Sequence, residues 1–242
     1  ADNLGLGQYD VLVFNTDPVP FHGEKTVHVV TRTKNITFPG SPVAVIEHER
    51  YYPAREHVNR VTATGTEEIT EPAYYELDVR VSVDVPALGY TVLTFADADS
   101  ALEEPVEVSG AEVSNEFYTL SFAAGALEVK TVDGEIFEDF VTLTDIGNDG
   151  DTYDFSPLKG TSEDELRFSA ASVRTESSRS TLVLEGAAEL PFDLEDRFGD
   201  GRRESVAYRL ELTLAKGSDV IEAKAVIDNQ VLSHRMRLKV HT

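Results

Sequence analysis

The 242-residue sequence contains no cysteine, which excludes a disulfide frame and a thiolate metal site and favours a reducing compartment. Cations are scarce: 21 Lys and Arg stand against 44 Asp and Glu, a formal net charge of −23. So acidic a surface repels phosphate backbones and anionic lipid, which disfavours nucleic acid and membrane surfaces as partners and leaves a neutral ligand such as a sugar open. No apolar run approaches the roughly 20 residues of a membrane span, and no basic-then-apolar signal opens the chain; a cytoplasmic location is the expectation. Methionine occurs once, at Met236, and the first residue is Ala1, as in an excised fragment or a processed chain. No segment sustains a 3.6-residue apolar period, so helix is a minor component.

What the sequence does have is strand. Tyr75, Leu77, Val79, Val81, Val83 and Val85 alternate with Glu76, Asp78, Arg80, Ser82 and Asp84, the period-2 signature of a strand with one buried face. Val206, Tyr208, Leu210, Leu212 and Leu214 alternate in the same way, as do Ile221, Ala223, Ala225 and Ile227. Ala124-Gly125, Asp133-Gly134 and Asp200-Gly201 mark turns between apolar runs. The implied fold class is all-β, built as antiparallel sandwiches. The acidic stretch 97–110 divides the chain into a small β-sandwich domain at 1–100 and the opening part of a larger one at 101–242. The last strand, 236–240, is expected to lack a partner within the chain, and the native chain to continue beyond it.

Residues 145–157 concentrate the polar chemistry. Asp145, Asp149, Asp151 and Asp154 share this stretch with Gly147, Gly150, Tyr153 and Pro157. The spacing does not match an EF-hand calcium loop. Asp149 and Asp151 are two residues apart, whereas a glycosidase pair straddles a sugar at about 5–5.5 or 6.5–9.5 Å; on the residues alone the stretch reads as a solvated, Asx-rich turn. The six histidines form no HxH or HExxH pattern and read as surface groups, and no GxSxG is present. Arg235 and Arg237 fall on one strand face by parity, open either to carboxylates of this acidic chain or to a ligand.

Three segments in order carry a family resemblance. Asn115-Glu116-Phe117-Tyr118, then Gly150-Asp151-Thr152-Tyr153-Asp154-Phe155-Ser156-Pro157, then Asn229-Gln230-Val231-Leu232-Ser233-His234-Arg235-Met236-Arg237 resemble the C-terminal region of glycoside hydrolase family 38, the α-mannosidases. Ser233 stands where that pattern has an acidic residue. The resemblance implies a small sandwich followed by part of a galactose-mutarotase-like supersandwich. It also implies a parent enzyme of the retaining, zinc-dependent type, with zinc and the nucleophilic Asp in an N-terminal catalytic domain absent from this chain. This portion would then hold no catalytic residue, metal or cofactor of its own. It would be inactive alone and would lend residues to the rim of the active site: Asp149, Asp151 and Tyr153, with Arg235 and Arg237. The partners implied are a mannose-containing carbohydrate, the chain's own catalytic domain and a second copy in a homo-oligomer. The alternative is a stand-alone carbohydrate-binding or adhesin-like sandwich.

Overall fold

The computed structural model describes residues 5–151 and 153–241; Thr152 of the acidic loop lies outside them. The chain divides into two compact units, Ala1–Pro105 and Val106–Thr242. Among the described residues the only helical element is a single 3-10 turn, Glu195–Arg197, and no helix is long and apolar enough to cross a membrane.

In the first unit the Tyr74–Val85 strand lies between Phe21–Thr31 and Ala44–Tyr52, antiparallel to both. Its apolar alternation places Leu77, Val79 and Val81 in the core, packed with Val27, Val29, Ile46, Ile36, Phe38 and Phe95. Val11, Val13 and Leu93, from the paired strands Asp10–Phe14 and Tyr90–Thr94, close the other side. The polar face of the central strand is less open than its alternation implies. Arg80 is buried there, with its guanidinium against Glu24 and Glu47, because a buried charge must be paired. A hairpin, Arg55–Thr62 with Gly65–Glu71, has no apolar alternation to announce it. Ion pairs line it, with Arg55–Glu71 and Arg60–Glu67 directly opposite and His57–Glu68 diagonal, around the rung Val58–Ile69.

In the second unit a five-stranded antiparallel sheet is built on two 13-residue strands, Arg179–Pro191 and Arg203–Ala215. Their inward residues Leu182, Leu184, Val206, Tyr208, Leu210, Leu212 and Leu214 meet Val113, Leu120, Leu127 and Val129 of a four-stranded sheet, and Val141, Leu143 and Leu166 of a three-stranded one. Burying each such Leu contributes about 1.5–3 kcal/mol. Gly186 lies in the long strand because a Cβ there would sit 2.4 Å from the Tyr208 ring. The three-stranded sheet corrects one expectation: the His234–Val240 strand does have a partner, Val141–Gly147, along its whole length. Pairing over 93 residues of sequence, as between Thr144 and Arg237, leaves no local signal, since only the folded sheet brings the two together.

Candidate functional site

The site is organised around Asp145, which is a strand residue and not part of the acidic loop. In Val141–Gly147 the positions Val141, Leu143 and Asp145 share the core-facing phase. Asp145 is therefore wholly buried, a carboxylate where the pattern would place a third apolar residue. Its Oδ2 accepts from the Arg197 guanidinium at 2.8 Å and its Oδ1 from His234 Nδ1 at 2.6 Å. Both partners are themselves enclosed, with side chains 3 % and 6 % exposed. Burial works to raise the Asp145 carboxyl, but the bonds from His234 and Arg197 outweigh it and hold it below the usual aspartate value.

The orientation of the His234 ring follows from its neighbours. Asn229 Oδ1 accepts the Val231 backbone N–H at 3.1 Å, which fixes its amide orientation, and it lies 3.0 Å from His234 Nε2. Both ring nitrogens thus face carboxylate or amide oxygens, so the ring is held from both sides. The expectation of a surface histidine fails at this position for that reason. Arg197 reaches Asp145 from the connection between the two long strands, and passes where a side chain at Gly147 would lie: a Cβ there would come within 2.7 Å of Arg197 Cδ.

The acidic loop grows from this root. Asn148 N–H donates to the Ser233 carbonyl at 2.9 Å, Leu158 N–H to Gly147 at 3.0 Å, and Asp149 N–H to Ser156 at 2.7 Å. Two side chains order the tip. Asn148 Oδ1 accepts the Gly150 and Ser156 N–H groups, each at 3.0 Å. Asp151 Oδ1 accepts those of Tyr153 and Asp154 at 2.8 and 2.9 Å, and these bonds to the ionised form lower the Asp151 carboxyl. Gly150 is required, because a Cβ there would meet the Asp154 carbonyl at 1.9 Å. The Asx-rich turn read from the sequence is thus a built one.

Of the five residues expected at the rim, the loop presents three. Tyr153 is 92 % exposed, and Asp149 is exposed beside it on the loop. Asp151 spends one carboxylate oxygen on the turn. The two arginines share a strand face but part company in their contacts. Arg235 lies over the Phe155 ring, 4.5 Å from its centre, and so joins the loop. Arg237 instead bonds Glu163 at 2.6 Å. Glu163 also accepts from Lys239 at 2.5 Å and from the Thr144 hydroxyl at 2.6 Å. Lys239 foremost, with Thr144 and Arg237, pushes the Glu163 carboxyl down to about 2. Phe155, Asn148 and Arg197 were not anticipated as parts of the site. The one local signal was the lone Arg197 among Asp193, Glu195 and Asp196 between two long strands.

Among the described residues no group of three His, Asp or Glu converges to hold a metal. Asp145 and His234 come nearest in type, but both carboxylate oxygens are committed to hydrogen-bond donors, one of them the Arg197 guanidinium, so zinc does not fit there.

No family model and no curated protein matches the chain. Solved structures do. An alpha-mannosidase from Enterococcus faecalis V583 superposes over 95 % of this chain with a TM-score of 0.60 and 16 % identity. A protein in the Glycosyl Hydrolase Family 38 from Enterococcus faecalis does so over 97 % with a TM-score of 0.58 and 14 % identity. This chain spans 31 % and 33 % of those chains, about a third of each. At such identities the likeness is one of fold: an all-β arrangement shared with part of these glycoside hydrolases.

Proposed function

We propose that this chain is the β portion of a retaining α-mannosidase, and that its loop 148–157 with Arg235 forms the rim of a sugar site completed by a catalytic domain elsewhere in the parent protein. The observation that carries this reading is the exposed Tyr153 on an internally braced loop, flanked by Arg235 on Phe155, in a chain whose fold matches mannosidase structures over nearly its full length. A sugar offers an apolar ring face and a fringe of hydroxyls. Tyr153 suits the face and keeps its own hydroxyl free to bond; Asp149, and the second oxygen of Asp151, suit the hydroxyls, since an ionised acceptor makes the stronger bond. Arg237, held by Glu163, acts by fixing the strand and takes the lesser part.

Zinc and the nucleophilic carboxylate belong, in this reading, to the catalytic domain, and the chain alone has no turnover. The acidic surface suits a neutral carbohydrate over nucleic acid or membrane, in a bacterial-type cytoplasmic enzyme that assembles with its own catalytic domain and as a homo-oligomer. The test uses the parent protein and an aryl α-mannoside. Tyr153→Phe is expected to lower kcat/KM about tenfold, on the order of 1.4 kcal/mol, without changing the melting temperature. The 242-residue chain alone is expected to release no aryl alcohol, with or without zinc. Unchanged kinetics in the variant, or turnover by the chain alone, sinks the assignment.

A further inference from the structure

The buried polar cluster under the loop has no part in touching a sugar, yet it joins three segments distant in sequence. Asp145 lies on one strand of the three-stranded sheet, His234 begins the neighbouring strand, and Arg197 arrives from the connection of the five-stranded sheet. The same two strands carry the sugar-facing groups. The loop leaves the first strand immediately after Gly147, and Arg235 follows His234 directly. Ser233, at the other side of His234, accepts the Asn148 N–H and takes a positive φ of 49° to do so. Ser233 and Arg235, which hold the loop through Asn148 and Phe155, are therefore the two neighbours of His234.

The charges at this root are unusual in so acidic a chain. One carboxylate faces both a guanidinium and an imidazole, so an enclosed and fully paired polar cluster lies beneath a loop bearing Asp149, Asp151 and Asp154. A buried network of this kind holds its members only in one arrangement, because any slip leaves a charge without a partner. Gly147 adds a steric condition: the guanidinium of Arg197 lies in the space its missing side chain leaves. The cluster thus fixes the first residue of the loop from below, through packing, and from the side, through the Ser233 carbonyl.

We propose that Asp145, Arg197 and His234 are positioning residues that lock the 148–157 loop to the start of the 234–240 strand, so that Tyr153 and Arg235 meet a sugar in fixed register. The sugar half of this statement rests on the mannosidase reading; the locking half stands without it. The cluster acts through the loop and touches no substrate.

The experiment follows amide exchange in the 242-residue chain by NMR and titrates the same samples with methyl α-mannoside, reading the Asp154 and Phe155 amide signals. In Arg197→Met the root amides of Asn148, Asp149 and Leu158 are expected to exchange at least tenfold faster, while amides of the Arg179–Pro191 and Arg203–Ala215 ladder change far less. The mannoside response is expected to weaken at least fivefold. Arg197→Lys, which keeps the cation, is expected to restore most of both effects. Asn229→Ala, which removes the acceptor shared by His234 Nε2 and the Val231 N–H, is expected to fall between them and decides the matter if Arg197→Met does not fold. Tyr153→Ala separates the two readings, since it should abolish the mannoside response and leave root exchange as it was. Root exchange unchanged in a folded variant overturns the proposal. So does an equal rise at all amides, which is the mark of a general loss of stability. If the unaltered chain does not respond to mannoside while root exchange rises as expected, the sugar reading falls and the lock remains.

Discussion

Asp145 illustrates how one residue can tie stability to surface geometry. An isolated buried carboxylate is costly, but here its oxygens are divided between Arg197 and His234, and the cost reappears only when a partner is lost. Asp145→Asn removes the charge and offers a donor to a neighbour that is itself a donor. It is expected to destabilise the second unit by about 3–5 kcal/mol, measured by urea unfolding. Glu163 is a second carboxylate of structural use, with Lys239, Thr144 and Arg237 on it. Its folded value of about 2 lies below the ordinary 4.5, so its stabilisation is complete above 4.5 and disappears as the pH falls through about 2. Glu163→Gln should therefore melt below the parent chain near neutral pH, and the gap should close progressively as melts are repeated from pH 5 toward pH 2. A gap that stays constant with pH would show that ionisation of Glu163 is not what holds the strand.

At the scale of elements, local sequence chemistry explains the hairpins and fails at the loop. Ala124 and Gly125 join Tyr118–Ala123 to Ala126–Thr131 with φ values of 53° and 86°. That two-residue turn favours Asn-Gly, because both positions are left-handed. Ala124→Asn is expected to raise stability by about 0.5–1 kcal/mol, seen as a higher melting temperature; no gain would mean that the hairpin's strain is carried elsewhere. Ser233 is in the same backbone region at φ 49°. Asp and Asn tolerate that region better than Ser, which gives a physical reason for an acidic residue in the motif this sequence resembles. The alternation of residues 75–85 and 206–214 made the two central strands legible. Val141–Gly147 was not legible, because Asp145 breaks its apolar phase and the loop composition beyond it draws the eye away. The Arg55–Thr62 hairpin was hidden for a related reason, since ion pairs stand at Arg55–Glu71 and Arg60–Glu67 and a single apolar rung, Val58–Ile69, sets no period.

For the molecule as a whole, composition and periodicity were enough for an all-β chain of sandwiches, and the ordered motifs were enough to point to mannosidase-like folds. The roles within the motif were beyond them. Nothing in the sequence distinguishes Arg235, which lies on Phe155, from Arg237, which holds Glu163; they differ only in what a neighbouring strand and loop bring to them. Likewise His234 reads like any other histidine until Asp145, 89 residues away, is brought against it. Long-range partners of this kind determine the site, and a one-dimensional pattern holds no record of them.

The same separations have a bearing on the order in which the molecule assembles. The lock closes over 89 residues between Asp145 and His234, and over 52 between Asp145 and Arg197. Loops of such length close after local hairpins such as 118–131, because their chain entropy must be overcome before any contact rewards it. Tyr153 therefore acquires its fixed surroundings among the last residues of its unit. A chain arrested part-way, with hairpins formed and sheets collapsed, would hold Asn148 and Arg235 in no fixed relation, so that the surface they shape becomes a property of finished molecules alone.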